Sequence, residues 1–120
     1  MPTADEIRGY IEGMPSMLIE EKVEGVDATI QLELSGDNGG NWWIRIQNGE
    51  AEVHEGTVDS PQMTLRSSAD DLYNVFVGEA NAMTAFMQGK IKVVGDMALA
   101  IKMQTWFDMG GGGGITATRG

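Results

Sequence analysis

Residues 86–107 read FMQGKIKVVGDMALAIKMQTWF, and the order of elements in this stretch decides the fold class. Gln88 and Gly89 close a helix. Lys90 to Val94 then alternates lysine and aliphatic side chains with the period of a strand. Gly95 and Asp96 make a tight turn, and Asp96 caps a second helix expected from Met97 to about Asp108. That helix is too apolar for one narrow stripe. Advancing ~100° per residue from Met97, Ile101 falls near ~40°, Trp106 near ~180°, Leu99 near ~200°, Met103 near ~240°, Phe107 near ~280° and Ala100 near ~300°. The apolar arc covers about 220°, where a surface helix needs little more than ~100°. Lys102 and Thr105 form the polar remainder, and Gln104 falls inside the apolar arc. Either the helix is buried on both sides, or one side packs on protein and the other faces an apolar ligand that Gln104 orients.

The neighbourhood is rich in methionine. The chain has nine, and Met83, Met87, Met97, Met103 and Met109 lie close to Phe76, Phe86 and Phe107 in the sequence. Flexible, polarisable Met suits an irregular core and an adaptable apolar surface equally well.

Further upstream, Ser68 caps a helix whose apolar face holds Leu72, Tyr73, Val75 and Phe76, and Asn81 caps a short one ending at Gly89. Before them the period is two. In VDATIQLELS, Val26, Ala28, Ile30, Leu32 and Leu34 face one way, and Asp27, Thr29, Gln31, Glu33 and Ser35 form a face expected to be wet. The GDNGG turn leads to NWWIRIQ, with Trp42, Ile44 and Ile46 inward. An NGE hairpin leads to a weak strand, AEVHEG. After the break DSP, QMTLRS brings Met63 and Leu65 inward. Short connections predict an antiparallel meander for these four strands. At the start, Thr3-Ala4-Asp5-Glu6 is a capping box before Ile7, Tyr10, Ile11 and Met14, and SMLIEEKVEG adds about one more helical turn. Helices and strands are segregated, so the class is α+β, with helices on one face of a five-stranded, mainly antiparallel sheet.

The 120 residues allow one real core, expected over 1–109, with the glycine-rich 110–120 as a flexible tail. Eighteen acids against eight bases give a net charge of −10, which argues against nucleic acid as a partner. Three of the four lysines, however, fall between residues 90 and 102. The absence of cysteine excludes disulfides, thiolate catalysis and Cys-based zinc sites. Neither a signal peptide nor a long apolar run is present, so the expected location is the cytoplasm. His54 stands alone beside Glu52 and Glu55, too few ligands for a metal. GDNGG is too short for a calcium loop, no nucleophile elbow occurs, and the pentaglycine lacks the Lys of a phosphate loop. No catalytic residue, metal or cofactor is expected.

AFMQGKIKVVGDMALAIKMQ resembles the sterol carrier protein 2 (SCP2) lipid-transfer family: an apolar helix end, Gln-Gly-Lys, a Lys/aliphatic strand, Gly-Asp-Met, and an apolar helix containing Lys-Met-Gln. GVDATIQLELSGDNGGNWWIRIQNGEAEVHEG and DSPQMTLRSSADDL extend the resemblance over about Val23 to Phe107. It implies an apolar tunnel between sheet and C-terminal helices, and loose binding of a fatty acid, acyl-CoA, sterol-like or isoprenoid lipid. The residues expected to line the tunnel are Ile30 and Leu32 from the sheet, Leu72 and Phe76, then Met83, Phe86 and Met87. The last helix would add Ile101, Met103, Gln104 and Phe107. Lys90, Lys92 and Lys102 either form a solvated face or meet a head group or membrane at the mouth. The ending TRG lacks the peroxisomal signal of eukaryotic members. The resemblance thus implies a non-catalytic lipid carrier, a monomer or weak dimer. The alternative is an accessory subunit of a lipid- or quinone-metabolising enzyme complex.

Overall fold

The computed structural model describes residues 2–103 and 105–107; Gln104, Met109 and the segment 110–120 lie outside the described residues. The elements are helix α1 (Ala4–Gly13), strands β1 (Ala28–Ser35), β2 (Gly40–Gln47), β3 (Glu50–Glu55) and β4 (Met63–Ser68), helices α2 (Ala69–Phe76) and α3 (Ala82–Met87), strand β5 (Ile91–Gly95) and helix α4 (Met97–Met103). The capping box at Thr3 is reciprocal: Thr3 Oγ1 accepts from the Glu6 N–H at 3.1 Å, and Glu6 Oε1 accepts from the Thr3 N–H at 2.9 Å. Ser68 and Asn81 cap α2 and α3 through the N–H groups of Asp71 and Thr84. Between α1 and β1, two 3₁₀ turns, Met14–Met17 and Glu20–Val23, stand where one helical turn was expected. Pro15 lies at the start of the first, and its missing N–H suits a helix start better than a helix interior.

The sheet order is β3-β2-β1-β4-β5. The β1–β2, β2–β3 and β4–β5 pairs are antiparallel, the second through a two-residue turn with Asn48 and Gly49 both at positive φ, as a type I′ hairpin requires. The expected meander stops there. β4 pairs with β1, in parallel, so residues 56–62 cross from one side of the β1–β2 pair to the other.

That crossing also corrects the reading of the polar face of β1. Thr29 and Gln31 are buried, not wet. The Gln31 amide donates to the carbonyls of Trp42 at 3.0 Å and Gly56 at 3.1 Å, and its oxygen accepts from the Val58 N–H at 2.9 Å. At the far end of the crossing, the Gln62 and Thr29 N–H groups go to the Thr29 carbonyl and the Gln62 side chain. A polar residue in an alternating strand is here a buried anchor for a loop, satisfied on both its donor and acceptor sides.

The opposite face carries the core. Ile30, Leu32, Leu34, Trp42, Ile44, Ile46 and Met63 are buried there. Helix α1 adds Ile7 and Ile11, and Tyr10 stacks on Phe76 with ring centroids 5.6 Å apart, which ties α1 to α2. Arg8 reaches the edge strand and donates to both carboxylate oxygens of Glu55 at 3.0 and 3.3 Å. Those hydrogen bonds and the guanidinium charge hold the Glu55 carboxyl below its ordinary range and push Arg8 up.

Between β5 and α4 the chain needs glycine. Gly95 has φ +107°, and a Cβ there would lie 2.5 Å from the Gln62 carbonyl oxygen. Helix α4 is shorter than expected. It ends at Met103, and the N–H groups of Thr105 and Trp106 bond three residues back, to Lys102 and Met103. Trp106 and Phe107 therefore do not share the face of a long helix. They run across the molecule as a strap: the Ile19 N–H donates to the Trp106 carbonyl at 2.7 Å, and Phe107 bridges Leu18. Both aromatic side chains are buried.

Candidate functional site

Three strands and three helices present apolar residues to one space because each alternates or rotates with the right period. Leu32, Leu65, Ile91 and Val93 project from the covered face of the sheet; Leu65 pairs with Leu32 on one side and with Val93 on the other. Leu72, Val75 and Phe76 follow at helical spacing on α2, Ala82, Met83 and Phe86 on α3, and Met97, Ala100, Ile101 and Met103 on α4. Met14 and Phe107 close the remaining side. Together they enclose a cavity of about 240 Å³ whose lining side chains are all apolar. The strap gives Phe107 its place, because the bridge to Leu18 holds it opposite the sheet. Met83, Met97 and Ile101 line the cavity and remain 41%, 42% and 51% exposed, so they stand at its mouth.

Of the side chains expected at the site, Leu32, Leu72, Phe76, Met83, Phe86, Ile101, Met103 and Phe107 meet here. Ile30 does not. It shares the face of Leu32 but is wholly enclosed in the core. Met87 is 78% exposed; one step of ~100° past Phe86 on a short helix carries it out of the wall. Gln104 lies outside the described residues. The lysines are all exposed and none lines the cavity. Lys92 pairs with Arg66 on the face of the sheet turned away from it.

Met14, Leu65, Val75, Ala82, Ile91, Val93, Met97 and Ala100 were not expected at the site. For Ile91 and Val93 the signal was present: alternation on β5 puts them on the face of Leu65. Met14 had no such signal, since its position depends on the 3₁₀ turn that follows α1. Trp106, predicted on the apolar arc, is buried but supports the strap and does not line the cavity.

Away from the cavity the chemistry is sparse. His54 stacks on Trp43 with centroids 4.4 Å apart and lies 3.1 Å from Glu52 Oε1. Among the described residues no cluster of three or more His, Asp or Glu could hold a metal. Among the same residues no helix is long and apolar enough to cross a membrane.

The sequence model of the SCP-2 sterol transfer family matches residues 12–108. The chain belongs to this family. Hydroxysteroid dehydrogenase-like protein 2 of Bos taurus is 35% identical over 88 residues, 72% of this chain but 21% of that protein. The chain thus spans about a fifth of the length of such relatives. The solution structure of the sterol carrier protein domain 2 of Helicoverpa armigera is similar at TM-score 0.65 and 29% identity, covering 84% of this chain and 81% of that one. Palmitated SCP2L2 of Aedes aegypti superposes at TM-score 0.73 and 22% identity, over 87% and 93% of the two chains, a likeness of fold. The cavity lies between the sheet and the C-terminal helices.

Proposed function

We propose that this chain is a non-catalytic lipid carrier that holds the hydrocarbon part of one lipid, such as a fatty acid, acyl-CoA, sterol-like or isoprenoid molecule, in the cavity. The observation that carries this reading is the wholly apolar lining of a 240 Å³ space. Each methylene moved from water into it contributes about 0.8 kcal/mol. Lost translational and rotational freedom costs at least ~4 kcal/mol, which leaves modest affinity, suited to a carrier that must also let go. No described lining group can pair with a buried carboxylate or phosphate, and an unpaired buried charge is prohibitive. The polar end therefore stays at the mouth, beside Met83, Met97 and Ile101.

The test is native mass spectrometry of the protein after incubation with palmitic acid, palmitoyl-CoA, cholesterol or a short-chain quinone. One-to-one adducts are expected for at least one class. The Ala100→Phe variant, which fills the cavity from α4, should lose the adduct while melting no lower than the parent. A parent protein that takes up none of these lipids overturns the reading.

A second reading has one observation in its favour, the small share of the dehydrogenase-like relatives that the chain spans. In it, the chain is an accessory subunit of a lipid- or quinone-metabolising enzyme complex, and the apolar groove serves that complex. A stable complex recovered with an enzyme, with the cavity empty, would favour it over the carrier.

A further inference from the structure

The sulfur of this chain is gathered at the cavity. The sequence has no cysteine and nine methionines, and Met14, Met83, Met97 and Met103 line the space. These four divide by their access to water. Met14 and Met103 are 1% and 8% exposed, whereas Met83 and Met97, at the mouth, are 41% and 42% exposed. Apolarity alone does not call for sulfur there, because Ile101 stands at the same mouth without it. Two further methionines separate exposure from position. Met87 is 78% exposed and is not part of the lining, and Met63 is buried in the sheet core, also outside the lining.

We propose that Met83 and Met97 are oxidative modification sites: hydrogen peroxide converts their thioethers to sulfoxides, and the modified mouth releases the lipid. In that step the sulfur attacks one peroxide oxygen, the O–O bond breaks and an S–O bond forms. The proton on the transferred oxygen passes to the other oxygen, which leaves as water. Sulfur gives up two electrons and the peroxide takes them. The oxidant arrives with water, so the part-exposed sulfurs of the mouth react while Met14 and Met103 are shielded. A sulfoxide is polar where the thioether was apolar. Turned outward to water, it withdraws the side chain from the hydrocarbon. Turned inward, it faces an apolar wall that offers it no hydrogen bond. Contact with the lipid is lost in both orientations. The change is reversible, because a thiol-dependent sulfoxide reductase returns two electrons and two protons and the oxygen leaves as water. The proposal rests on the carrier reading.

Graded hydrogen peroxide on the full chain tests it, with oxidised methionines located by peptide mass spectrometry and palmitic acid loading read by native mass spectrometry. Met87, Met83 and Met97 should take up oxygen before Met14, Met63 and Met103. Affinity for palmitic acid should fall about tenfold once Met83 and Met97 are both sulfoxides, the scale expected for a polar group left unpaired against apolar surface. A methionine sulfoxide reductase with its thiol reductant should restore it. Palmitic acid added first should slow oxidation of Met83 and Met97 and leave that of Met87 unchanged. Met87→Leu should keep the parent's sensitivity to peroxide. With Met83→Leu and Met97→Leu combined, affinity after peroxide should equal the same variant's affinity before it. Three results overturn the proposal: undiminished affinity with Met83 and Met97 oxidised, the same proportional loss in the double variant, or a loss that appears only with oxidation of Met63, which reports an opened core. An untreated parent that takes up no palmitic acid would instead strike the carrier reading.

Discussion

Gln31 shows how far one side chain determines this architecture. It sits mid-strand with its amide spent on Trp42, Gly56 and Val58. Those bonds fix the crossing that lets β4 reach β1. Gln31→Leu keeps the volume but leaves two carbonyls and one N–H without their partner. The expected cost is about 2–3 kcal/mol, read from the urea midpoint, with faster amide exchange at Val58 than in the β1–β2 ladder. From sequence, Gln31 was indistinguishable from Glu33, since alternation reports which face a residue takes and not whether a distant loop will cover that face. Leu32, Phe76 and Met103 were legible because being apolar and inward is enough to place a residue in the wall. Met87 failed because composition does not fix the last turn of a short helix.

At the scale of elements, caps and turns were readable: Thr3, Ser68, Asn81 and the Asn48-Gly49 hairpin act through bonds within three residues of themselves. The parallel β1–β4 pair was not, because two strands of suitable composition carry no mark of which neighbour each will choose. The end of α4 was missed for a similar reason. Trp106 and Phe107 continue the apolar pattern, but their burial is arranged by Leu18 and Ile19, far away in sequence. The contact between α1 and β3 carries a pH dependence. The carboxyl of Glu55 is depressed by Arg8, so its contribution is present above the unfolded carboxylate pKa and disappears as pH falls through the folded one. Glu55→Gln should thus lower the urea midpoint at pH 7 and leave it equal to the parent's in acid. Both partners are exposed, so the difference should be small and should shrink in salt.

Over the whole molecule, the net charge of −10 repels itself when the chain is compact. Raising ionic strength from about 0.01 to about 0.15 M shortens the screening length from ~30 to ~8 Å. The melting temperature should rise over that range, because salt screens repulsion within the protein. A melting temperature that stays level or falls would show that this repulsion does not limit stability. The family was legible from one stretch, whereas the cavity needed residues from Met14 to Phe107 in one place. The strap made by Trp106 and Phe107 has a consequence for biogenesis. One wall of the cavity is pinned to Leu18 and Ile19, which precede every strand, by residues that follow every strand. On the ribosome, the sheet can zip together while the apolar space is still open along that side. Nascent protein therefore passes through a stage with its greasiest surface uncovered, when chaperones would engage it and when a first lipid could be captured without any mouth to pass.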